Sequence, residues 1–399
     1  MRVILTLFIL CFVFTATAQN IKRIIDKKDI ATLKSYINDV EYIEDEIMIS
    51  ANRYENKKKV VINPLEYSVL VGDFEMVKLL TKKQNKYEDF NETVSKAFAI
   101  ALMENNQQIS AYLFKFNPNV NEICSICQGN TPIMWAVKNG NKEWYFKLNQ
   151  TSELFLVNDE GDNLAHLCAY HFNNDIFNDV LAKEVDINLS NNNKKTPLQV
   201  AALKGAYTMF FKLIELSANY ETIEDLFADA ILGGNIKIIN YFTDKTIFNS
   251  EFLWLNYSYK IGSEKPKNYF PYELAILSNN PNALDFVLDN MMSDLQKDST
   301  NKHIKNTYEL LSGIGDDFDY VSLTHSIAMG QKEMFEKILK TSVEFNKRNY
   351  NITYQATNGN FTYQQPAQVY FTKFDFRAAK RQFGKKYVID LYKKLGIEF

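Results

Sequence analysis

The feature that most constrains this chain is a spacing. Four stretches follow one internal order. Asn63-Pro64-Leu65 leads through Gly72 to Met76, Val77, Leu79 and Leu80. Thr131-Pro132-Ile133 leads to Gly140-Asn141. Asn163-Leu164-Ala165 leads to Asn173-Asn174 and on to Ile176, Phe177, Val180 and Leu181. Thr196-Pro197-Leu198 leads through Gly205 to Leu213-Ile214. Each stretch opens on a turn signal and a Pro or Pro-like residue, runs one short helix, and stops at Gly or an equivalent. A second apolar helix then begins. The helix-opening positions Pro64, Ala97, Pro132, Leu164, Pro197 and Leu226 are 33, 35, 32, 33 and 29 residues apart. A period near 33 residues marks a helix–turn–helix solenoid, in which each unit buries its apolar face only against its neighbours. Length alone, 399 residues, suggests two or three domains. The period replaces that expectation with one array.

The motif has a physical logic. Proline at the first helical position lacks an N–H that would be unsatisfied there anyway. Thr131 and Thr196 precede it as caps. Small residues such as Ala201-Ala202 let successive inner helices approach, and Gly ends the short helix in a left-handed turn. The second helix carries a wider apolar stripe for the core between units. These residues resemble the ankyrin repeat, with its T-P-L-H-x-A-A-x-x-G run, second helix and G-A-D-V-N-like exit. Val185-Asp186-Ile187-Asn188 and Asn119-Val120-Asn121 resemble that exit, and His166 stands where the family's repeat histidine stands. The resemblance implies an all-α ankyrin-repeat solenoid and a structural His166 that bonds the backbone of adjacent turns. It is strongest over residues 60–216. Residues 19–60 are expected to form N-terminal capping helices and 61–244 regular repeats. Residues 245–399 are expected to form divergent repeats with insertions and a C-terminal cap. Asn105, Phe172 and Asn279 take the Gly position. Units reopen near Pro271, Ser322 and Phe376, with about 10–20 extra residues in each interval. The last insertion centres on Asn358-Gly359 between alternating β-formers, which predicts a β-hairpin with Tyr354 opposite Tyr363 and Ala356 opposite Phe361.

Residues 1–18 read as a secretory signal peptide. Arg2 precedes an apolar run at 3–14 broken only by Thr6, and Ala16 and Ala18 suit a cut before Gln19. The run is too short to span a bilayer, which takes about 20 residues. Cleavage leaves 381 residues (399 − 18) with a formal charge of −4 (44 basic against 48 acidic side chains). No later run of 18 apolar residues occurs, so no membrane insertion is expected after cleavage. The expected location is the periplasm or outside the cell, and the Asn-, Lys- and Ile-rich composition leans bacterial. Three cysteines then remain, Cys124, Cys127 and Cys168. Cys124-Ser125-Ile126-Cys127 lacks further zinc ligands and a βαβ setting, which leaves a local disulfide or two free thiols.

Motifs for chemistry are missing. The sequence holds no G-x-S-x-G, H-E-x-x-H, P-loop or G-x-G-x-x-G. His166 and His171 are five apart, which does not place them on one helix face for a shared metal. Cys168 fills a small-residue core slot. No catalytic residue, metal or cofactor is expected. The absence of a basic excess argues against nucleic acid.

A surface remains. In ankyrin proteins the binding face is concave, made of loop tips and the ends of the inner helices. By repeat position it comprises Gln128, Asn130, Lys138 and Asn139. The next unit gives Asp159, Glu160, Asp162, Tyr170 and His171, and the following one Asn192, Asn193, Lys195 and Lys204. The strip is polar and of mixed sign, with Tyr170 as an aromatic anchor, which suits a protein partner. Trp254, Tyr257 and Tyr259 in the first insertion offer an alternative surface. The expected function is a monomeric, non-enzymatic, exported protein that binds another protein. A sharper version is a periplasmic immunity-type inhibitor of a toxin. The alternative of another class is an enzyme with its site in residues 245–399.

Overall fold

Most helices of the first unit start where a polar side chain takes an orphan N–H group of the first turn. The computed structural model describes residues 21–43, 46–50, 59–244, 247–255, 257–259, 267–297, 329–348, 350–355, 362–369 and 373–397. Positions 304–305, 307–308, 311, 326–327 and 371 are described as well. Among the described residues the chain is mostly helical. It divides into two compact units. The first comprises Met1–Ala201 and Phe211–Asn219, the second Ala202–Phe210 and Tyr220–Phe399.

In the first unit, Asp29 caps α1 (Ile30–Asp39), its carboxylate accepting from the Thr32 amide at 3.0 Å. Strands β1 (Ile47–Ser50) and β2 (Lys59–Ile62) pair antiparallel with Ile47 opposite Ile62. Four helix pairs follow. They are α2 (Pro64–Val71) with α3 (Phe74–Gln84), and α4 (Phe90–Met103) with α5 (Gln107–Leu113). Then come α6 (Pro132–Lys138) with α7 (Lys142–Leu148), and α8 (Leu164–Leu167) with α9 (Asn174–Ala182). Asn63, Asp73, Asn106, Asn141 and Asn173 each cap the following helix with a side-chain oxygen. The core runs between pairs. Phe98 of α4 meets Phe114 at 5.6 Å and Trp144 of α7 at 5.4 Å, centroid to centroid.

Helices α10 (Pro197–Leu203) and α11 (Tyr207–Glu215) each contain a point where the division falls. The second unit continues with α12 (Ile223–Gly233), α13 (Ile236–Asp244) and a 3₁₀ turn at Ser250–Trp254. Strands β3 (Tyr257–Tyr259) and β4 (Lys267–Tyr269) form a second antiparallel pair. Helices α14 (Pro271–Leu277), α15 (Pro281–Lys297) and α16 (Lys332–Lys347) come next. Strands β5 (Asn351–Gln355) and β6 (Thr362–Pro366) precede α17 (Lys373–Phe383) and α18 (Lys385–Leu395). Phe227 anchors this core, with Phe242, Phe248, Phe252 and Phe286 at 5.4–6.2 Å. Gly233 is required there, because a Cβ would lie 2.0 Å from the Ala202 carbonyl oxygen.

The turns between paired helices contain left-handed residues at Gly72, Asn105, Gly140, Gly205, Gly234, Asn279 and Gly330. Asn105 and Asn279 replace Gly in this role because Asn tolerates that backbone region best among the non-glycine residues. Phe172 is not among the left-handed residues, and its helix α8 is only four residues long.

Several expectations meet the structure directly. The C-terminal hairpin forms in the expected register, Tyr354 opposite Tyr363; Ala356 and Phe361 lie outside the described residues, as do the signal peptide and Ser322. Residues 19–60 hold more than capping helices. Residues 21–26 and α1 are helical, but residues 47–50 and 59–62 are strands, because Ile47 and Ile49 point inward while Met48 and Ser50 face out. The position expected to open a helix at Ala97 lies inside α4, which starts at Phe90.

Candidate partner-binding face

Three loop tips in the first unit are tied to one another by backbone hydrogen bonds. The Asp159 amide donates to the Gln128 carbonyl at 3.3 Å, and the Asn192 amide to the Glu160 carbonyl at 2.9 Å. Side chains repeat the link. Asn192 Nδ2 donates to the Asp159 carbonyl at 2.9 Å. Asn158 Nδ2 donates to Asn130 Oδ1 at 3.0 Å, and Asn191 Nδ2 to Asp162 Oδ1 at 2.7 Å. Each organising Asn also folds its own tip. Asn158 Oδ1 accepts from the amides of Glu160 and Asp162, and Asn191 Oδ1 from those of Asn193 and Lys195. Close approach sets the residue type at Gly129, where a Cβ would stand 2.5 Å from the Asp159 amide nitrogen.

This stitching divides the expected contact residues. Asn130 and Asp162 are 0% and 1% exposed. Their side chains hold neighbouring tips together, so neither offers a surface to a partner, which corrects the expectation. Asp159, Glu160, Asn192 and Asn193 are exposed, while Gln128 and Lys195 are half-buried. Asn139 is half-buried and donates to the Leu102 carbonyl at 2.9 Å. Lys204 is exposed and belongs to the second unit.

The ends of the inner helices supply the aromatic part. Lys138 Nζ lies 4.9 Å from the Trp135 ring centre and 4.7 Å from that of Tyr170. An ammonium between two rings is held by their negative faces, each contact contributing about 0.5–1 kcal/mol when partly exposed. Trp135 is buried at 8% exposure, so of the two rings only the half-buried Tyr170 reaches the surface. Burial, then the charges of Asp162 and Glu160, push its hydroxyl well above the usual phenol range, so it stays a neutral donor. His171 is exposed, and its ring is seated on Gly140, where a Cβ would meet Cδ2 at 2.1 Å. The sequence reading missed Trp135, Asn158 and Asn191. The available signal for the two asparagines was their shared place six residues before Leu164 and Pro197.

The other candidates are structural. Trp254, Tyr257 and Tyr259 are 5–8% exposed and form no surface. Their polar atoms are used inside the second unit. Trp254 Nε1 donates to Asp294, Tyr257 Oη to the Phe252 carbonyl, and Tyr259 Oη to Asp229 Oδ1 at 2.6 Å. His166 is fully buried. Its Nε2 lies 3.0 Å from the Lys195 carbonyl, 29 residues on, and Nδ1 accepts from the Asn163 amide at 3.3 Å. Burial lowers its pKa. Cys124 and Cys127 form a disulfide. Cys168 is a buried free thiol pushed up to about 12 by burial, which leaves it inert. Among the described residues no group of three His, Cys, Asp or Glu side chains is placed to hold a metal ion, and no helix is long and apolar enough to cross a membrane. No protein-family model matches the chain, and no curated protein matches it.

Proposed function

We propose that this chain is an exported, non-enzymatic ankyrin-type repeat protein that binds a protein partner through its loop tips and inner-helix ends. The observation that carries the reading is the Trp135–Lys138–Tyr170 stack beside a row of mutually bonded tips. A surface fixed before binding loses little entropy on association. Its make-up, the half-buried Tyr170 ring and Lys138 backed by buried Trp135, with exposed Asp159, Glu160, Asn192 and Asn193 on the tips, matches an aromatic anchor with a polar rim. The repeat reading is supported by the left-handed residues Gly72, Asn105, Gly140 and Gly205, which keep the sequence period. His166, bonded to the carbonyl of the next tip, supports it too. The Cys124–Cys127 disulfide fits export to an oxidising compartment.

The test is co-purification from the native source with the unaltered chain and with Glu160→Lys/Asn193→Lys, both exposed side chains. The expected result is one stoichiometric protein held by the unaltered chain and lost by the variant, with the melting temperature unchanged within about 2 °C. Retention of that protein by the variant would overturn the assignment of this face. Mass spectrometry of the exported protein is expected to find Gln19 at the N-terminus; an intact Met1 would refute cleavage.

A further inference from the structure

The second unit holds a cleft of about 800 Å³ between the ends of α16 and α18 and the residues Gln368, Val369 and Phe371. Its walls are mixed, with Asn346 and Gln368 beside four large apolar side chains. Val343, Phe371, Leu395 and Ile397 line it and are all half-buried, so each leaves hydrocarbon in water that a ligand could cover. Its rim is basic. Lys347 at the end of α16 and Lys393 and Lys394 at the end of α18 line the same space and are exposed. Among the described residues lining it, none is acidic. Val369 is held in place. Asn346 clamps Val369 by donating from Nδ2 to its carbonyl at 2.9 Å and accepting from its amide at 2.7 Å. Phe371 rests edge-on near Tyr392, ring centres 6.5 Å apart.

Lysines in a last helical turn commonly offset the negative carbonyl end of the helix dipole. That role needs no cavity. Here three lysines from two helices flank one partly apolar space whose volume is that of a small-ligand site, roughly 300–1,000 Å³. We propose that this cleft binds a small amphipathic anion, its apolar tail against Val343, Phe371, Leu395 and Ile397 and its carboxylate or phosphate head at Lys347, Lys393 and Lys394. The site is separate from the partner-binding face and does not depend on it.

Isothermal titration calorimetry of the full chain tests this with dodecanoate, dodecyl phosphate, dodecanol and acetate, each below its micelle concentration. The expected result is saturable binding of one dodecanoate or one dodecyl phosphate per chain, at least tenfold weaker binding of dodecanol and no measurable binding of acetate. The preferred head, carboxylate or phosphate, is read from the ratio of the first two affinities. Lys347→Ser/Lys393→Ser/Lys394→Ser, confined to exposed side chains, is expected to weaken both at least tenfold with an unchanged helical circular dichroism spectrum. Equal affinity in the triple variant, or no saturable binding of either anion, would overturn the proposal.

Discussion

In the first unit, Asn141 caps α7 and also donates from Nδ2 to Asn105 Oδ1, 36 residues back. In the second unit, Asn280 Nδ2 reaches the Gly234 carbonyl from 46 residues away, and Gln331 Nε2 reaches the Ile276 carbonyl from 55. Each of these polar residues directly follows a left-handed residue, Gly140, Asn279 or Gly330. The link between successive turns is the fixed part, and the chain that separates them is the variable part. Loop-closure entropy explains the tolerance. Lengthening the closed segment from 36 to 55 residues adds only about 0.4 kcal/mol. The second unit uses the extra length for the β3–β4 hairpin, whose buried Tyr259 bonds Asp229. The first unit keeps its spacing and stitches its loop tips.

The comparison can be broken at several points. The largest effect is expected at the core of the second unit. Phe227→Ala removes a ring packed against four others and should cost about 4 kcal/mol, read from urea denaturation. A cost below about 1 kcal/mol would mean the inserted segment is not packed as described.

Next comes Glu66, 3% exposed in the first unit. Burial raises its carboxyl to about 7, against opposition from Lys96 and with help from Glu92. Below about pH 4.5 both folded and unfolded chains hold the proton. As pH rises from there to about 7, the unfolded chain ionises while the folded one does not, so stability falls across that window and levels off above it. The loss amounts to about 3 kcal/mol. Glu66→Gln keeps an acceptor for Asn63 Nδ2 and is expected to abolish this loss, leaving the chain more stable at pH 8. His166, lowered by burial, works in the opposite sense. Below pH 6.5 the unfolded imidazole takes a proton that the folded one resists, so the variant should lose stability only on the acid side. An unchanged pH profile in Glu66→Gln would contradict the burial of that carboxyl.

Smaller still, Asn141→Ala and Asn280→Ala each remove a helix cap and a turn-to-turn bond, at about 1–2 kcal/mol. Equal costs, within about 0.5 kcal/mol, would sharpen the claim that one link serves both units despite different intervening lengths. A negligible cost at Asn280 alone would break it. The smallest effect is expected from Glu160→Lys, an exposed side chain whose exchange should change stability by less than about 0.5 kcal/mol.

The helix starts marked by proline, at Pro64, Pro132, Pro197 and Pro271, were legible because proline acts locally, whereas the expected cap Thr131 makes no side-chain bond to its helix. The hairpin around Asn358-Gly359 was legible for the same reason. The start of α4 at Phe90 was not. No proline marks it, and Asp89 makes no side-chain cap bond. Strand β2 was masked by a run of lysines ahead of Val60 and Val61. The candidate face was half legible. A polar residue in a tip shows its chemistry in the sequence, but its bonding partner lies elsewhere. Asn130 and Asp162 meet Asn158 and Asn191 from 28 and 29 residues away, so their burial follows from stacking alone. Trp254, Tyr257 and Tyr259 misled in the opposite direction, since their hydroxyl and N–H groups find acceptors only once the insertion folds.

The most direct measurement is amide hydrogen exchange on the chain, free and bound to the protein that co-purifies with it. The account predicts added protection at residues 138–139, 159–160, 170–171 and 192–193, around the Trp135–Lys138–Tyr170 stack. Protection confined to other parts of the chain, with those positions exchanging as in the free protein, would contradict it.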